Sequence, residues 1–145
     1  MIKIQKGDFN IDFEIDRLRS KHSNIGAITT FVGYVREKNN NQKVSAIELQ
    51  VYKQMALNSL EKISLKAQKK WKIIDSLIIH RFGKLKTNEK IVLVATFSSH
   101  RKESFEACKY IMDFLKKDAP FWKKEYYKDS FKWLKNTKSK NEPNQ

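Results

Sequence analysis

Cysteine, proline, glycine and arginine are all scarce in this 145-residue chain, and each scarcity excludes something. A single cysteine, Cys108, rules out an intrachain disulfide framework and a Cys-rich zinc site, and points to a reducing compartment. Four Gly and two Pro, beside 40% hydrophobic and 32% charged residues, exclude collagen-like and low-complexity classes and describe a chain that folds. No apolar run approaches the roughly 20 residues that span a bilayer. Met1 to Lys6 leads into Asp8 and Asp12 without the hydrophobic core of a signal peptide, so the expectation is a cytoplasmic protein without a membrane span.

Positive charge is abundant: 30 Lys plus Arg against 16 Asp plus Glu give a formal net charge of +14. That balance favours acidic partners or anionic ligands. Only Arg17, Arg19, Arg36, Arg81 and Arg101 are arginines, so most of the excess is lysine, a solvated point charge. The few arginines, better forks for planar anions, are the ones to follow.

The length suits one domain with one core, and no repeat or linker divides it. Residues 1–135 are expected to form that domain and the polar residues 136–145 a frayed tail. Ile2 and Ile4 alternate with polar residues as in a short strand, and Phe13 to Leu18 is weakly helical. Ile25 to Val35 is β-branched and aromatic on both faces, which predicts a strand covered on both sides, with Gly26 and Gly33 at bulges or close approaches. Arg36 to Lys43 carries no apolar residue and is expected to be a mobile loop. Ser45 to Tyr52 alternates as a strand with one wet face. Met55 to Trp71 has helical periodicity, and Ile73–Phe82 and Ile91–Phe97 read as strands connected by Lys84 to Lys90, where Asn88 suits a left-handed turn. From Lys102 to Asp118, Phe105, Cys108, Met112 and Leu115 form the apolar stripe of a second main helix, which Pro120 stops. Strands that follow one another without an intervening helix predict an α+β domain with a largely antiparallel sheet.

Chemistry concentrates at a few places. His100 and Arg101 fall where a strand ends and a helix starts, and free N–H groups with the helix dipole favour an anion there. The plainer account is a turn capped by Ser98 or Ser99. Lys116 and Lys123 flank Pro120, a corner that can aim two amines at one space, although lysine is also favoured at any helix C-terminus. Arg36 ends a long strand, where it could close over an anion or simply be solvated. His22 and His80 lack a carboxylate or histidine at metal-ligand spacing and read as structural. Cys108 lies on an apolar stripe and reads as a buried thiol. A rival stands in Phe121 to Lys135, where Phe121, Trp122, Tyr126, Tyr127, Phe131 and Trp133 interleave with lysines as in binders of single-stranded nucleic acid. The residues alone leave an anion-binding enzyme and a basic nucleic-acid module side by side.

Several stretches together resemble one known family, the large, catalytic subunits of molybdopterin synthase. They are Gly26 to Arg36 (GAITTFVGYVR, family pattern G-A-x-x-x-F-x-G-x-V-R), Ile79 to Leu85 (IHRFGKL), Ser99 to Arg101 (SHR) and Phe105 to Lys124 (FEACKYIMDFLKKDAPFWKK). The last contains the specific M-D-x-L-K and A-P-F-W-K blocks. The resemblance implies an α/β hammerhead-type α+β fold and a homodimer that binds a small ubiquitin-like sulfur-carrier subunit at each end, a heterotetramer in all. It implies an enzyme of molybdenum cofactor biosynthesis that moves sulfur from the carrier's C-terminal Gly-Gly thiocarboxylate to cyclic pyranopterin monophosphate, forming a dithiolene. A protein-borne donor fits the absence of a promising nucleophilic cysteine, and no metal or cofactor is expected.

Carried over position by position, the resemblance implies a substrate pocket at Tyr34, Val35, Arg36, His100, Arg101, Lys116, Lys123, Lys124 and Glu125, drawn from both protomers. Arg36, His100 and Arg101 would take the cyclic phosphate and the pterin's polar edge. Lys116 would be the catalytic amine, Lys123 would hold the carrier's carboxylate or the substrate anion, and Glu125 would orient the amines or relay protons. Departures from the family pattern are Gln50 for a frequent Glu, Val51, Lys53 and Gln54 for the His, Pro and Gly of one variant, Asn88 for a turn Gly, and Tyr34 for a frequent Lys.

Overall fold

Strand β1 (Ile2–Gln5) leads to helix α1 (Ile11–Arg19), whose start is fixed by Asn10: its side-chain oxygen accepts the Phe13 N–H at 2.9 Å. Asp12 and Glu14 in the first turn and Arg17 and Arg19 in the last oppose the helix dipole, so the weak helical signal becomes a well-capped helix. The computed structural model describes residues 1–39, 42–127 and 131–134. The order continues β2 (Ala27–Tyr34), β3 (Lys38–Asn39), β4 (Gln42–Lys43), β5 (Ala46–Val51), α2 (Lys53–Trp71), β6 (Asp75–Arg81), β7 (Gly83–Lys86), β8 (Lys90–Ser98), α3 (Arg101–Lys117), β9 (Phe121–Tyr126) and β10 (Phe131–Leu134).

These strands form two four-stranded sheets, ordered β1-β6-β8-β2 and β10-β9-β5-β7, and the small ladder β3-β4. Among the described residues only the β1/β6 pair is parallel, so the α+β, largely antiparallel architecture is as the sequence predicts. Residues Leu77 to Ile79 and Val92 to Phe97 are buried because the first sheet is covered on both faces. On one side Ile78, Val92 and Val94 meet Ala56, Leu60, Ile63 and Ala67 of α2 and Ala107 and Ile111 of α3. On the other, Leu77, Ile79, Leu93, Ala95 and Phe97 meet Phe9 and Leu18. The second sheet has its own small core of Val35, Val44, Ile47, Leu49 and Leu85.

Four expectations are corrected. Lys38–Asn39 and Gln42–Lys43 pair as β3 and β4, because backbone hydrogen bonds need no apolar side chain, so Arg36 to Lys43 is not wholly a loop. Lys84 to Lys90 is not only a connection: β7 crosses to the second sheet and pairs with β5, with Leu49 opposite Gly83, and the turn follows it at Asn88 (φ 72°). The buried stripe of α3 is Ser104, Ala107, Cys108 and Ile111, while Phe105 is 61% exposed. Small residues win that face because α3 lies close to the sheet: the Ser104 and Thr29 hydroxyls are bonded at 2.7 Å, and Thr96 donates to the Ser104 carbonyl at 2.6 Å. Finally, β2 is an edge strand, and Thr30, Phe31 and Tyr34 are exposed rather than covered. The tail 136–145 and residue 135 lie outside the described residues.

Candidate active site

Strand β2 connects two cationic places. At its start, Gly26 donates its N–H to the Ser98 carbonyl at 2.9 Å, and any Cβ there would collide with the Ser99 carbonyl, the close approach expected of this glycine. This contact sets the turn that presents His100 as the N-cap of α3 and Arg101 as its first helical residue. No side chain caps the helix; Ser98 instead donates to the His100 carbonyl at 2.5 Å. The helix N–H groups therefore face an open cleft of about 460 Å³ lined by Gly26, Ala27, Ser99, His100, Arg101, Lys102 and Glu103.

At the other end, the register shift between Gly33 and Tyr34 is the bulge expected there, and it turns the chain so that Val35 is buried and Arg36 exposed. Val35 contributes packing and backbone bonds to Glu89 and Asn88. Tyr34, Val35 and Arg36 share a niche of about 30 Å³ with Lys123 and Glu125 of β9, Ile47 of β5 and Ile91 of β8. The niche itself has room for about one water molecule. Burial pulls the Lys123 ammonium below the ordinary lysine range and Arg36 adds to the fall, while the Glu125 carboxylate pushes the other way. Glu125 is 4% exposed and accepts the Tyr127 hydroxyl at 2.6 Å.

The structure brings some predicted residues together and separates others. Tyr34, Val35, Arg36, Lys123 and Glu125 meet. His100 and Arg101 stand at the far end of β2, about 23 Å away at the rise of an antiparallel strand. Lys116 is exposed on the last turn of α3; the helix packs along β8 and β2, which returns it to the Arg36 end, but Lys116 does not line the niche. Lys124 is on the opposite face of β9 from Lys123, 5.5 Å from the Tyr126 ring and across from Glu48 of β5, because strand side chains alternate. A larger cleft of about 580 Å³, lined by Lys6, Glu48, Gln50, Tyr52, Phe82 and Trp122 among others, contains none of the predicted residues.

The remaining arginines are occupied. Arg17 and Arg19 pair with Glu14 and Asp16, and the buried Arg81 donates to the Lys6 and Lys90 carbonyls at 3.0 Å, tying β1, β6 and β8 together. His22 is paired with Asp75 at 3.0 Å. His80 is buried and stacked on Phe121 with ring centroids 3.8 Å apart, and burial pushes it down to about 4. Cys108 is buried and pushed up to about 11, so no ready thiolate is available. Tyr127 joins this group although the sequence sets it among the aromatics of the basic run, because only the fold connects its hydroxyl to Glu125. Among those aromatics Phe121 is buried on His80, Tyr126 donates to Glu48 at 2.6 Å, and Trp122 meets the exposed Tyr52 edge-on at 4.8 Å on the wall of the larger cleft. Phe131 and Trp133 side chains lie outside the described residues.

Fold and site define an α+β protein with cationic side chains at both ends of an exposed edge strand, and comparison with known proteins shows its family. A family model described as the MoaE protein matches residues 4–118. The molybdopterin synthase catalytic subunit of Ralstonia nicotianae is 45% identical over 133 residues, 92% of this chain and 76% of that protein. Among solved structures, the molybdopterin biosynthesis MoaE protein from Burkholderia ambifaria is 41% identical with a TM-score of 0.82, covering 97% of this chain and 92% of that one. Molybdopterin synthase from Staphylococcus aureus is 30% identical with a TM-score of 0.83, covering 92% and 96%. The chain belongs to the MoaE family. No helix among the described residues is long and apolar enough to cross a membrane.

Proposed function

We propose that this chain is the catalytic subunit of molybdopterin synthase. It transfers sulfur from the C-terminal thiocarboxylate of a small ubiquitin-like carrier subunit to cyclic pyranopterin monophosphate, and forms the dithiolene of molybdopterin. The observation that carries this reading is the desolvated Lys123 amine in the niche it shares with Arg36 and Glu125, in a member of a family whose relatives bear this activity in their names. Each transfer breaks the C–S bond at the carrier's terminal carbonyl, where the oxygen of a water molecule takes the place of sulfur and leaves a carboxylate, and makes a C–S bond at a pterin side-chain carbon whose C–O bond breaks, the oxygen leaving on the phosphate or as water, so anionic sulfur and oxygen develop where cations are needed. Lys123 serves that charge and the associated proton transfer; Lys116, on the flexible reach of an exposed side chain, supplies a second amine from the same end of the molecule. Nucleic-acid binding has no comparable support: the relatives named above do not carry it in their names, Phe121 is buried against His80, and the Tyr126 hydroxyl is taken by Glu48.

The separation of the two cationic places supports a homodimer. Strand β2 leaves one edge of its sheet unpaired and carries the exposed Phe31 and Tyr34 there. Pairing two copies of β2 antiparallel about a two-fold axis sets the His100–Arg101 end of one protomer beside the Arg36–Lys123 end of the other. One composite pocket then holds His100 and Arg101 for the cyclic phosphate and Arg36, Lys123 and Lys116 for the reacting groups, twice per dimer. Two carrier subunits complete a heterotetramer.

The test is to mix the protein with a thiocarboxylated small subunit and cyclic pyranopterin monophosphate and to measure dithiolene pterin. Product is expected from the wild type, with losses of about 100-fold or more in Lys123→Ala and in Lys116→Ala. No product from the wild type would sink the reading.

A further inference from the structure

Glu125 is deeply buried, and its neighbour beyond the end of β9 is built to hold it. The Tyr127 hydroxyl donates to Glu125 Oε1 at 2.6 Å, and this bond to a carboxylate pushes the phenol up to about 12. The Tyr127 ring packs on the small core of Val35, Val44, Ile47, Leu49 and Leu85, two members of which, Val35 and Ile47, also line the Lys123 niche. Tyr127 is therefore anchored to the wall of the site, with its polar tip turned to the one carboxylate in the niche. Two-residue alternation along β9 puts Lys123 and Glu125 on the same face. The Tyr127 hydroxyl is bonded to Glu125, and the Glu125 carboxylate acts electrostatically on Lys123 in the niche that both line with Arg36.

We propose that Tyr127 is a positioning residue for sulfur transfer, locking the Glu125 carboxylate in place beside Lys123. The A-P-F-W-K block ends before it, and the proposal rests on the function proposed above. A carboxylate so fixed opposes the effects of burial and of Arg36 on the amine. It holds Lys123 as a directed cation where a thiocarboxylate, and later the carboxylate left behind, must be received. Among the described side chains, the titratable or charged groups around the amine are Arg36 after β2, Tyr34 on β2, and Glu125 and Tyr127; β5 and β8 offer Ile47 and Ile91 there, and β10 sets Lys132 at the register position opposite Glu125.

Tyr127→Phe removes the hydroxyl and keeps the ring. In the reconstituted enzyme with thiocarboxylated carrier, kcat for dithiolene formation is expected to fall about tenfold while KM for the cyclic pterin changes by less than about twofold. A second measurement needs no activity: the pH midpoint for acetylation of Lys123 by acetic anhydride in the whole protein, read from the mass of its peptide. Glu125→Gln should move that midpoint down, and Tyr127→Phe should move it down by less. A wild-type or raised midpoint in Tyr127→Phe overturns the proposal, whatever its turnover. If the wild-type enzyme makes no product, the function proposed above fails, and the Lys123 midpoint still decides the role of Tyr127.

Discussion

At the scale of single residues, environment separates groups that look alike in the sequence. Lys123 and Lys124 are neighbours in a basic run, yet one is desolvated in the niche it shares with Arg36 and Glu125 and the other is near Tyr126 on the opposite face. Five arginines likewise sort by what already claims them, and Arg36 and Arg101 are the two that line the cationic clefts. His80 gives a stability test. Its folded value of about 4 lies below the ordinary 6.5, so the unfolded chain binds the proton first. Stability from this group is complete above about pH 6.5 and drains away as the pH falls towards 4, about 3 kcal/mol in all. The urea-unfolding free energy of the wild type should therefore fall relative to His80→Phe between those two pH values. A difference that stays constant over the interval would show that His80 is not held neutral by burial.

At the scale of elements, the strands and helices with strong periodicity are legible in the sequence, and so is the turn at Asn88. What eludes it is set by partners distant along the chain. Lys84 to Lys90 reads as a connection because the partner of the strand that occupies its first residues is β5 in another sheet. The face of α3 is misjudged because hydrophobicity favours Phe105, while close approach to β2 and β8 favours Ser104 and Ala107. Only the interlocked Thr29, Thr96 and Ser104 groups make that choice plain. The close approach of the start of β2 to the turn before α3 sets the position of His100 and Arg101. Gly26→Ala forces a Cβ against the Ser99 carbonyl and should cost about 1–3 kcal/mol of stability, moving His100 as well. Gly7→Ala, with open space around it, should cost less than about 0.5 kcal/mol. Thermal unfolding of the two variants checks the contrast, and equal costs would remove the role assigned to the Gly26 turn.

At the scale of the whole molecule, the candidate site was half legible. Its residues could be read from motifs, but their distribution over the two ends of β2 could not, because the strand's length and edge position appear only in the fold. The +14 charge is mostly solvated lysine and suits an acidic partner. The central claim is that one pocket needs His100 from one protomer and Lys123 from the other. It is tested most directly by mixing two inactive variants, His100→Ala and Lys123→Ala, allowing their subunits to exchange, and measuring dithiolene pterin with thiocarboxylated carrier. Random exchange makes half the dimers mixed, each with one intact pocket and one doubly defective, so about a quarter of wild-type activity should return. A mixture as inactive as its parents, after exchange has been verified by mass spectrometry, would contradict a pocket shared across the dimer.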